Sequence, residues 1–354
     1  MRQININEVQ PGMTLARTLI NDNMIIVLAE NTLLSQAHIT RLKFLDVGTV
    51  CVKDDYDLDP REMLVQSMLN RSNGFVTEYQ EVLVVVEKLF NEIAKNKEIP
   101  MKKMKKIVDD SITAMVRQSG VIDYLYELKS MDNSTYNHSL RVSILSGVLA
   151  KWLHYKEADI QNVIFAGFLH DIGKTQLDKK IIEKNIENLS EEEEEIYMQH
   201  TVEGYKIISE KPDLADGVKR AVLQHHERMD GSGFPFNLNG DDIHDYAKIV
   251  AVADIYDSIT TEREGFLKQT PFSALARIRK EMFQVLDPKV CMPFLINVQE
   301  AFIGSKVLLS DKTKGIIIQY EKDYAALPLV RLTTGEIVDL NKRTDLSVVE
   351  YNPA

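Results

Sequence analysis

Cysteine is almost absent. Cys51 and Cys291 stand far apart, each within apolar sequence, so neither a disulfide framework nor a cysteine-based zinc site is indicated, and both read as buried, reduced thiols. No apolar run approaches the ~18–20 residues that a membrane-spanning helix needs. The opening MRQININEVQ lacks the basic start and apolar stretch of a secretory signal. A cytoplasmic protein with no membrane span is the expectation. Positive charge is in deficit too: the formal net charge is −11, which repels polyanions over the surface as a whole. That argues against a partner in polymeric nucleic acid, and a phosphate-bearing ligand must be held by a few local cations or by metal. Repeats and low-complexity tracts are missing as well. What is present is 44% hydrophobic and 27% charged residues, a globular balance with enough apolar side chain for a sizeable core. At ~150 residues per domain, 354 residues imply two or three modules.

The pattern along the chain supports a mainly α protein: a central all-helical domain between a small N-terminal α+β module and a small C-terminal β-barrel-like module. In residues 1–55, MTLARTLI and MIIVLAE form a hairpin around Asn21-Asp22-Asn23, Ser35 caps a short helix ending near Val47-Gly48, and TVCVK is a third strand. The charged, aperiodic segment 54–62, with Pro60, suits a linker. Residues 61–128 form a helical connector. Its lysines at 102, 103, 105 and 106 interleave with Met101, Met104, Ile107 and Ile112, which places the charges on a solvated face. Helices within 61–118 suit either a homodimer contact or an intramolecular scaffold. Residues 129–302 are helical and carry most of the histidines. In 303–354, KVLL, GIIIQY, LPLVRL, EIVDL and LSVVE are short strands, each followed by turn residues.

The chemistry lies in the central domain. His138 begins HSLRVSILSGVLAKWL and shares an apolar helical stripe with Val142, Leu145, Leu149 and Trp152. VIFAGFLHDIGK runs seven apolar residues directly into His170 and Asp171. A buried carboxylate there needs a compensating cation, because burying an unpaired charge costs several kcal/mol. His200 sits in EEIYMQHTVEGYKII, and Gly204, one turn later, permits close backbone approach. His225 and His226 close a helix and point about 100° apart, able to address one site from two sides. Asp254 lies on the stripe of Ala247 and Val250. Any one of these groups could be a satisfied core side chain. Five histidines and two aspartates at apolar positions of successive helices point instead to a metal centre. Imidazole and carboxylate without thiolate suit iron, manganese, zinc or nickel, and the carboxylate share favours the harder ions. Seven ligands exceed the needs of one tetrahedral ion, so two ions bridged by Asp171 are expected. The acidic run Glu191–Glu195 is explained locally: Ser190 caps a helix with Glu193 at the capping-box position. His38, His154 and His244 follow no such pattern and read as surface or capping residues.

The order His138, HDIGK at 170–174, His200, HHERMDGSGFP at 225–235 and VAD ending at Asp254 closely resembles the HD-GYP family of the HD superfamily. The resemblance covers about residues 129–300. It implies an HD-type helical domain and a metal-dependent phosphodiesterase that opens the bacterial second messenger cyclic di-GMP to the linear dinucleotide pGpG, and often on to GMP. Position by position it implies that His138, His170, Asp171 and Asp254 hold one metal and that Asp171, His200, His225 and His226 surround the second, iron or manganese being favoured. Lys174 falls beside the substrate phosphate, and Gly231, Gly233, Phe234 and Pro235 form the signature loop, with Phe234 in place of the usual tyrosine. The glutamate that three-metal members carry before the first histidine is Ser134 here, which favours two metals. Of the family's arginine and lysine pair after the VAD helix, Arg263 is present, while the lysine position is Phe266 and Lys268 lies nearby as a substitute.

The expected reaction is hydrolysis without a covalent intermediate, with Asp171 bridging the ions and Lys174 and Arg263 neutralising phosphoryl charge. The alternatives are an HD-type phosphohydrolase for another cyclic dinucleotide or nucleotide, and a non-catalytic cyclic di-GMP receptor whose end modules pass the signal to a protein partner. The terminal β-module shows none of the arginine motif of a PilZ-type receptor.

Overall fold

The computed structural model describes residues 2–20, 26–28, 32, 34, 36–44, 47–53, 60–128, 134–182, 184, 188–261, 269–320 and 327–352. It is mainly helical and divides into two compact units, Met1–Tyr79 and Gln80–Ala354.

In the first unit β1 (Arg2–Asn5) is followed by β2 (Leu19–Ile20), β3 (Ile26–Leu28), α1 (Gln36–Phe44) and β4 (Thr49–Val52). The expected hairpin is the antiparallel β2–β3 pair, and the expected third strand, β4, pairs antiparallel with β1. The tip of that hairpin and Ser35 lie outside the described residues. Ile6, Leu15, Leu34, Ile39, Leu42, Val50 and Val52 form one core cluster, which is how a unit with such short strands stays closed. Of the expected linker, 54–59 lie outside the described residues, and Pro60 already opens α2 (Pro60–Asn96), where a fixed φ and a missing N–H cost nothing. The division between the units falls inside this helix.

In the second unit α3 (Met101–Lys106) runs through a π turn into α4 (Thr113–Arg117), followed by α5 (Val121–Leu128). Met104, Ile107 and Ile112 are buried while Lys102, Lys103 and Lys106 are exposed, as the spacing predicts. The central helices are α6 (Thr135–Trp152), α7 (Glu157–Leu169), α8 (Lys179–Ile182), α9 (Glu191–Met198), α10 (His200–Ile208), α11 (Asp216–Gln224), α12 (Asp245–Thr260), α13 (Pro271–Glu281) and α14 (Pro288–Ala301), with a 3-10 turn at Ile172–Gln176. At the start of α9 the predicted Ser190–Glu193 capping box forms.

Two close approaches set this arrangement. A Cβ on Gly167 of α7 would lie 2.9 Å from the Ser143 Cα of α6, so these helices cross nearly backbone to backbone. A Cβ on Gly173 would lie 1.9 Å from the His200 carbonyl oxygen and 2.5 Å from the Gly204 nitrogen, which presses the 3-10 turn onto α10. The predicted role of Gly204 is borne out. Contrary to the stripe expected of it, α6 is buried on every side from Asn137 to Ala150, since helices cover it all round.

The five C-terminal strands also form: β5 (Lys306–Leu309), β6 (Lys314–Tyr320), β7 (Pro328–Leu332), β8 (Ile337–Asp339) and β9 (Val348–Asn352). They do not close into the expected barrel. The sheet is open and antiparallel, in the order β8-β7-β6-β5-β9, with β8 and β9 as its two edges. Closure is unnecessary because one side is covered by helices. Tyr351 of β9 packs edge-on against Tyr126 and Phe272 and at a tilt against Phe302, and its hydroxyl donates to Asp123 Oδ1 at 2.6 Å.

Candidate metal centre

All seven predicted ligands converge. His138 is in the first turn of α6, His170 and Asp171 follow the last residue of α7, His200 opens α10, His225 and His226 follow α11, and Asp254 lies in α12. Asp171, His200, His225 and His226 form one group whose ligand atoms lie within 4.8 Å of one another; His138, His170 and Asp171 form a second, so Asp171 belongs to both. Asp254 joins the second group, with Oδ1 3.1 Å from His138 Nε2. Around Asp171, Oδ2 is 3.4 Å from His170 Nε2 and 3.6 Å from His138 Nε2, while Oδ1 is 3.5 Å from His200 Nε2 and 3.8 Å from His225 Nε2.

The imidazoles are aimed by a repeated local device. His170, His200 and His225 each place Nδ1 against the carbonyl three residues earlier, those of Gly167, Tyr197 and Val222, at 2.7, 2.6 and 2.9 Å. A carbonyl only accepts, so Nδ1 donates and Nε2 is left as a lone pair. His138 achieves the same with Asp257, whose Oδ2 lies 2.8 Å from its Nδ1. These lone pairs then face each other: Nε2 of His138 and His170 are 3.3 Å apart, as are those of His200 and His225. Two acceptors at that distance repel unless a cation or proton lies between them. Buried Asp171 Oδ1 and His226 Nε2 have no hydrogen-bond partner among the described residues. Converging lone pairs, orphaned buried acceptors and a shared carboxylate are the donor set that a pair of divalent cations fits.

The electrostatics agree. Burial holds His200 down to about 4 and keeps His225 and His226 well below the usual imidazole range, with neighbouring histidines adding to the effect, so all three are neutral donors at pH 7. Burial pulls His170 down as well, but the Asp171 charge outweighs it and the net shift is upward. Burial would raise Asp171; His170 and Lys174 overcome it and hold the carboxyl well below its ordinary value. At Asp254 burial is likewise overcome, chiefly by the adjacent His138, and the carboxyl stays well below its ordinary value.

Lys174 donates from Nζ to Asp171 Oδ2 at 2.6 Å and lies 5.0 Å from the centre of the Tyr197 ring. Burial works against its charge, but Asp171 prevails and keeps it protonated. The signature loop lies alongside. Gly231 has φ +78°, a left-handed conformation that glycine adopts without strain, and a Cβ on Gly233 would sit 2.4 Å from the His226 carbonyl oxygen. Phe234 stacks on His226, with ring centres 4.6 Å apart and planes at 24°. Packing of the ring, which phenylalanine shares with tyrosine, is therefore retained, and Pro235 follows on the wall of an adjoining cavity. Arg263, Phe266 and Lys268 lie outside the described residues. Of the three histidines set apart, His244 caps α12 by accepting from the Tyr246 N–H, His154 is exposed and His38 is half-buried.

Three residues of the site escaped sequence reasoning. Arg141 is fully buried, and its Nε donates to Asp257 Oδ1 at 2.9 Å while Nη2 donates to Oδ2 at 3.1 Å, so Asp257 is held by Arg141 as it holds His138. The signal was present: His138 and Arg141, like Asp254 and Asp257, are three residues apart on their helices and share a face. Glu227, the third, accepts from the Phe236 and Leu238 N–H groups at 2.8 and 2.9 Å and so fixes the signature loop behind Phe234.

Residues 88–290 match the family model described as HD domain. The chain is 29% identical over 259 residues to the cyclic di-GMP phosphodiesterase PA4108 of Pseudomonas aeruginosa, a match covering 70% of this chain and 62% of that protein. It is 36% identical over 178 residues to a cyclic di-GMP phosphodiesterase of Thermotoga maritima, covering 49% of this chain and 47% of that protein. The chain thus spans about half to three-fifths of the length of these relatives. Among solved structures, Bd1817, an HDG"Y"P protein from Bdellovibrio bacteriovorus, has a similar fold, with a TM-score of 0.54, 16% identity, and coverage of 84% of this chain and 99% of that one.

Proposed function

The chain belongs to the HD domain family, and from that premise we propose that it is a metal-dependent phosphodiesterase that hydrolyses cyclic di-GMP to pGpG and/or GMP. One observation carries the reading: two clusters of inward-facing imidazole lone pairs share the single buried carboxylate of Asp171. His138, His170, Asp171 and Asp254 would hold one divalent ion, and Asp171, His200, His225 and His226 the other, with iron or manganese best suited to this mix of imidazole and carboxylate. When bound, such a pair supplies Lewis acidity at the phosphoryl oxygens and activates a water at neutral pH.

The chain's own groups do the rest. Lys174, kept protonated beside Asp171, sets a fixed positive charge where phosphoryl charge accumulates, which is worth most in a site walled off from water. Gly231, Gly233, Phe234 and Pro235 present the substrate-facing loop, and sequence alone assigns Arg263 and Lys268 to an outer phosphate clamp. The catalytic module is taken as 129–302, with 1–55, 61–128 and 303–354 as N-terminal module, connector and C-terminal sheet module. Val84 and Val85, about half exposed on α2, support a homodimer through helices of 61–118, and the end modules are the parts available to a signalling partner. Free Cys51 and Cys291 suit the reducing cytoplasm, where we place the reaction.

The test is anaerobic metal analysis of the full chain, paired with chromatography of products from cyclic di-GMP and from other cyclic dinucleotides. Two metals per chain and release of pGpG or GMP are expected, and Asp171→Ala should lose both metal and turnover. A metal-loaded wild-type protein that binds cyclic di-GMP without hydrolysing it would make the receptor the correct reading.

A further inference from the structure

A cavity of about 360 Å³ lies between the α9–α10 junction and the signature loop, walled by Met198, Val202, Phe234 and Pro235, with Gln199, Ser232 and Asn237 at its polar edge. Among the described residues, no ionisable side chain lines it. The metal centre is adjacent: the Phe234 ring that forms one wall stacks on His226 and has its centre 6.1 Å from that of His200.

We propose that this cavity is a subsite for one purine base of the substrate, with Gln199 as the residue that reads the edge of the base. The inference rests on the phosphodiesterase reading, because a phosphodiester held at the metal centre carries its nucleosides into the surrounding walls. The described lining residues select against phosphate, having among them no cation to offset anionic charge. It suits a flat, uncharged heteroaromatic ring, which finds apolar walls and a phenylalanine face there. A purine also has hydrogen-bonding edges, and an amide meets these with both a donor and an acceptor. Two of the three polar groups are already engaged: Asn237 Nδ2 donates to the Gly233 carbonyl at 2.6 Å, and Ser232 Oγ to Asp230 Oδ1 at 2.6 Å. Gln199 is exposed at the turn between α9 and α10, immediately before His200, so its position is fixed by the same backbone that places a metal-ligand candidate. The loop contributes the opposite wall and is itself pinned by Glu227. The subsite is thus built from two segments that the metal centre already holds in register.

The experiment uses metal-loaded full-length protein with two substrates, cyclic di-GMP and bis(4-nitrophenyl) phosphate, a phosphodiester without a nucleobase. Gln199→Leu removes the amide at similar volume, and Val202→Phe fills the cavity. For Gln199→Leu the ratio of kcat/KM for cyclic di-GMP to that for the base-free diester should fall about tenfold, the loss of one to two hydrogen bonds, with metal content unchanged. For Val202→Phe the ratio should fall further, and Gln199→Leu should also narrow the preference between cyclic di-GMP and cyclic di-AMP. Parallel loss on both substrates, or an unchanged ratio in both variants, overturns the subsite. If the wild-type protein hydrolyses neither substrate, it is the phosphodiesterase reading that fails. The subsite is then decided by calorimetry with GMP, binding that Val202→Phe abolishes supporting it and binding that persists refuting it.

Discussion

A histidine that has given its Nδ1 proton to a carbonyl three residues back has one nitrogen left and one direction in which to use it. Three imidazoles of this protein are set that way by the helical turn just before them, whereas His138 depends on a residue far away in sequence, Asp257 of α12. Asp257→Asn should therefore weaken metal binding at the His138 group by about 10- to 100-fold, the usual cost of losing an outer-shell partner. It should also lower thermal stability, because buried Arg141 loses its counter-charge, and breaking a buried pair costs about 3–5 kcal/mol. Metal titration and thermal melts of the variant check both, and unchanged affinity with a lowered melting temperature would reduce Asp257 to a purely structural role. The difference between the two kinds of support explains what the sequence made legible. The ligands were readable because a polar residue on an apolar stripe stands out within its own helix. Asp257 and Arg141 looked like ordinary polar positions, since their meaning is a contact between residues far apart in sequence, and only folding makes α6 buried on all sides.

Elements whose cause is local behaved as their sequences indicate. The α9 capping box needs only Ser190 and Glu193, and the lysine face of α3 needs only its own periodicity. Whether five strands close into a barrel depends instead on what covers them, and the Tyr351 cluster against the helices was invisible to strand periodicity. Gly204 was legible as a point of close approach; its counterpart Gly173 was not, although it is the more crowded of the two. That crowding gives a prediction about the pairing of elements. Gly173→Ala drives a methyl group into the α10 backbone at the His200 carbonyl, so the 3-10 turn must move off α10 and carry Asp171 away from His200. The expected outcome is a loss of at least about 1–3 kcal/mol, the cost of overpacking, together with loss of metal from the Asp171, His200, His225 and His226 group. Denaturant unfolding and metal analysis test it. Gly240→Ala, at a glycine whose nearest neighbour would be the flexible end of Met229 at 3.3 Å, serves as the control that should change neither.

At the scale of the whole molecule, a centre built from buried neutral imidazoles couples folding to both pH and metal. The unfolded chain takes up protons on histidine near pH 6.5, whereas His200 in the fold resists protonation down to about 4, and His225 and His226 are also depressed well below the usual range. Between those values the unfolded state binds more protons, so the stability contributed by these three groups is present above about pH 6.5 and is lost as pH falls toward 4. His170 has the opposite sign: its value in the fold is raised, and its contribution is present below about pH 6.5 and fades as pH rises. Three groups against one leave a net loss on acidification. Chelator-treated protein should accordingly melt at a lower temperature at pH 5 than at pH 7.5. Adding back a divalent metal should raise the melting temperature at pH 7.5, since a ligand at 100 times its Kd stabilises by about 2.7 kcal/mol. The gain should shrink at pH 5, where protons compete for the same nitrogens. A melting temperature indifferent to metal at pH 7.5 would mean that the converging lone pairs are satisfied without cations, and the assignment of the centre would fail with it.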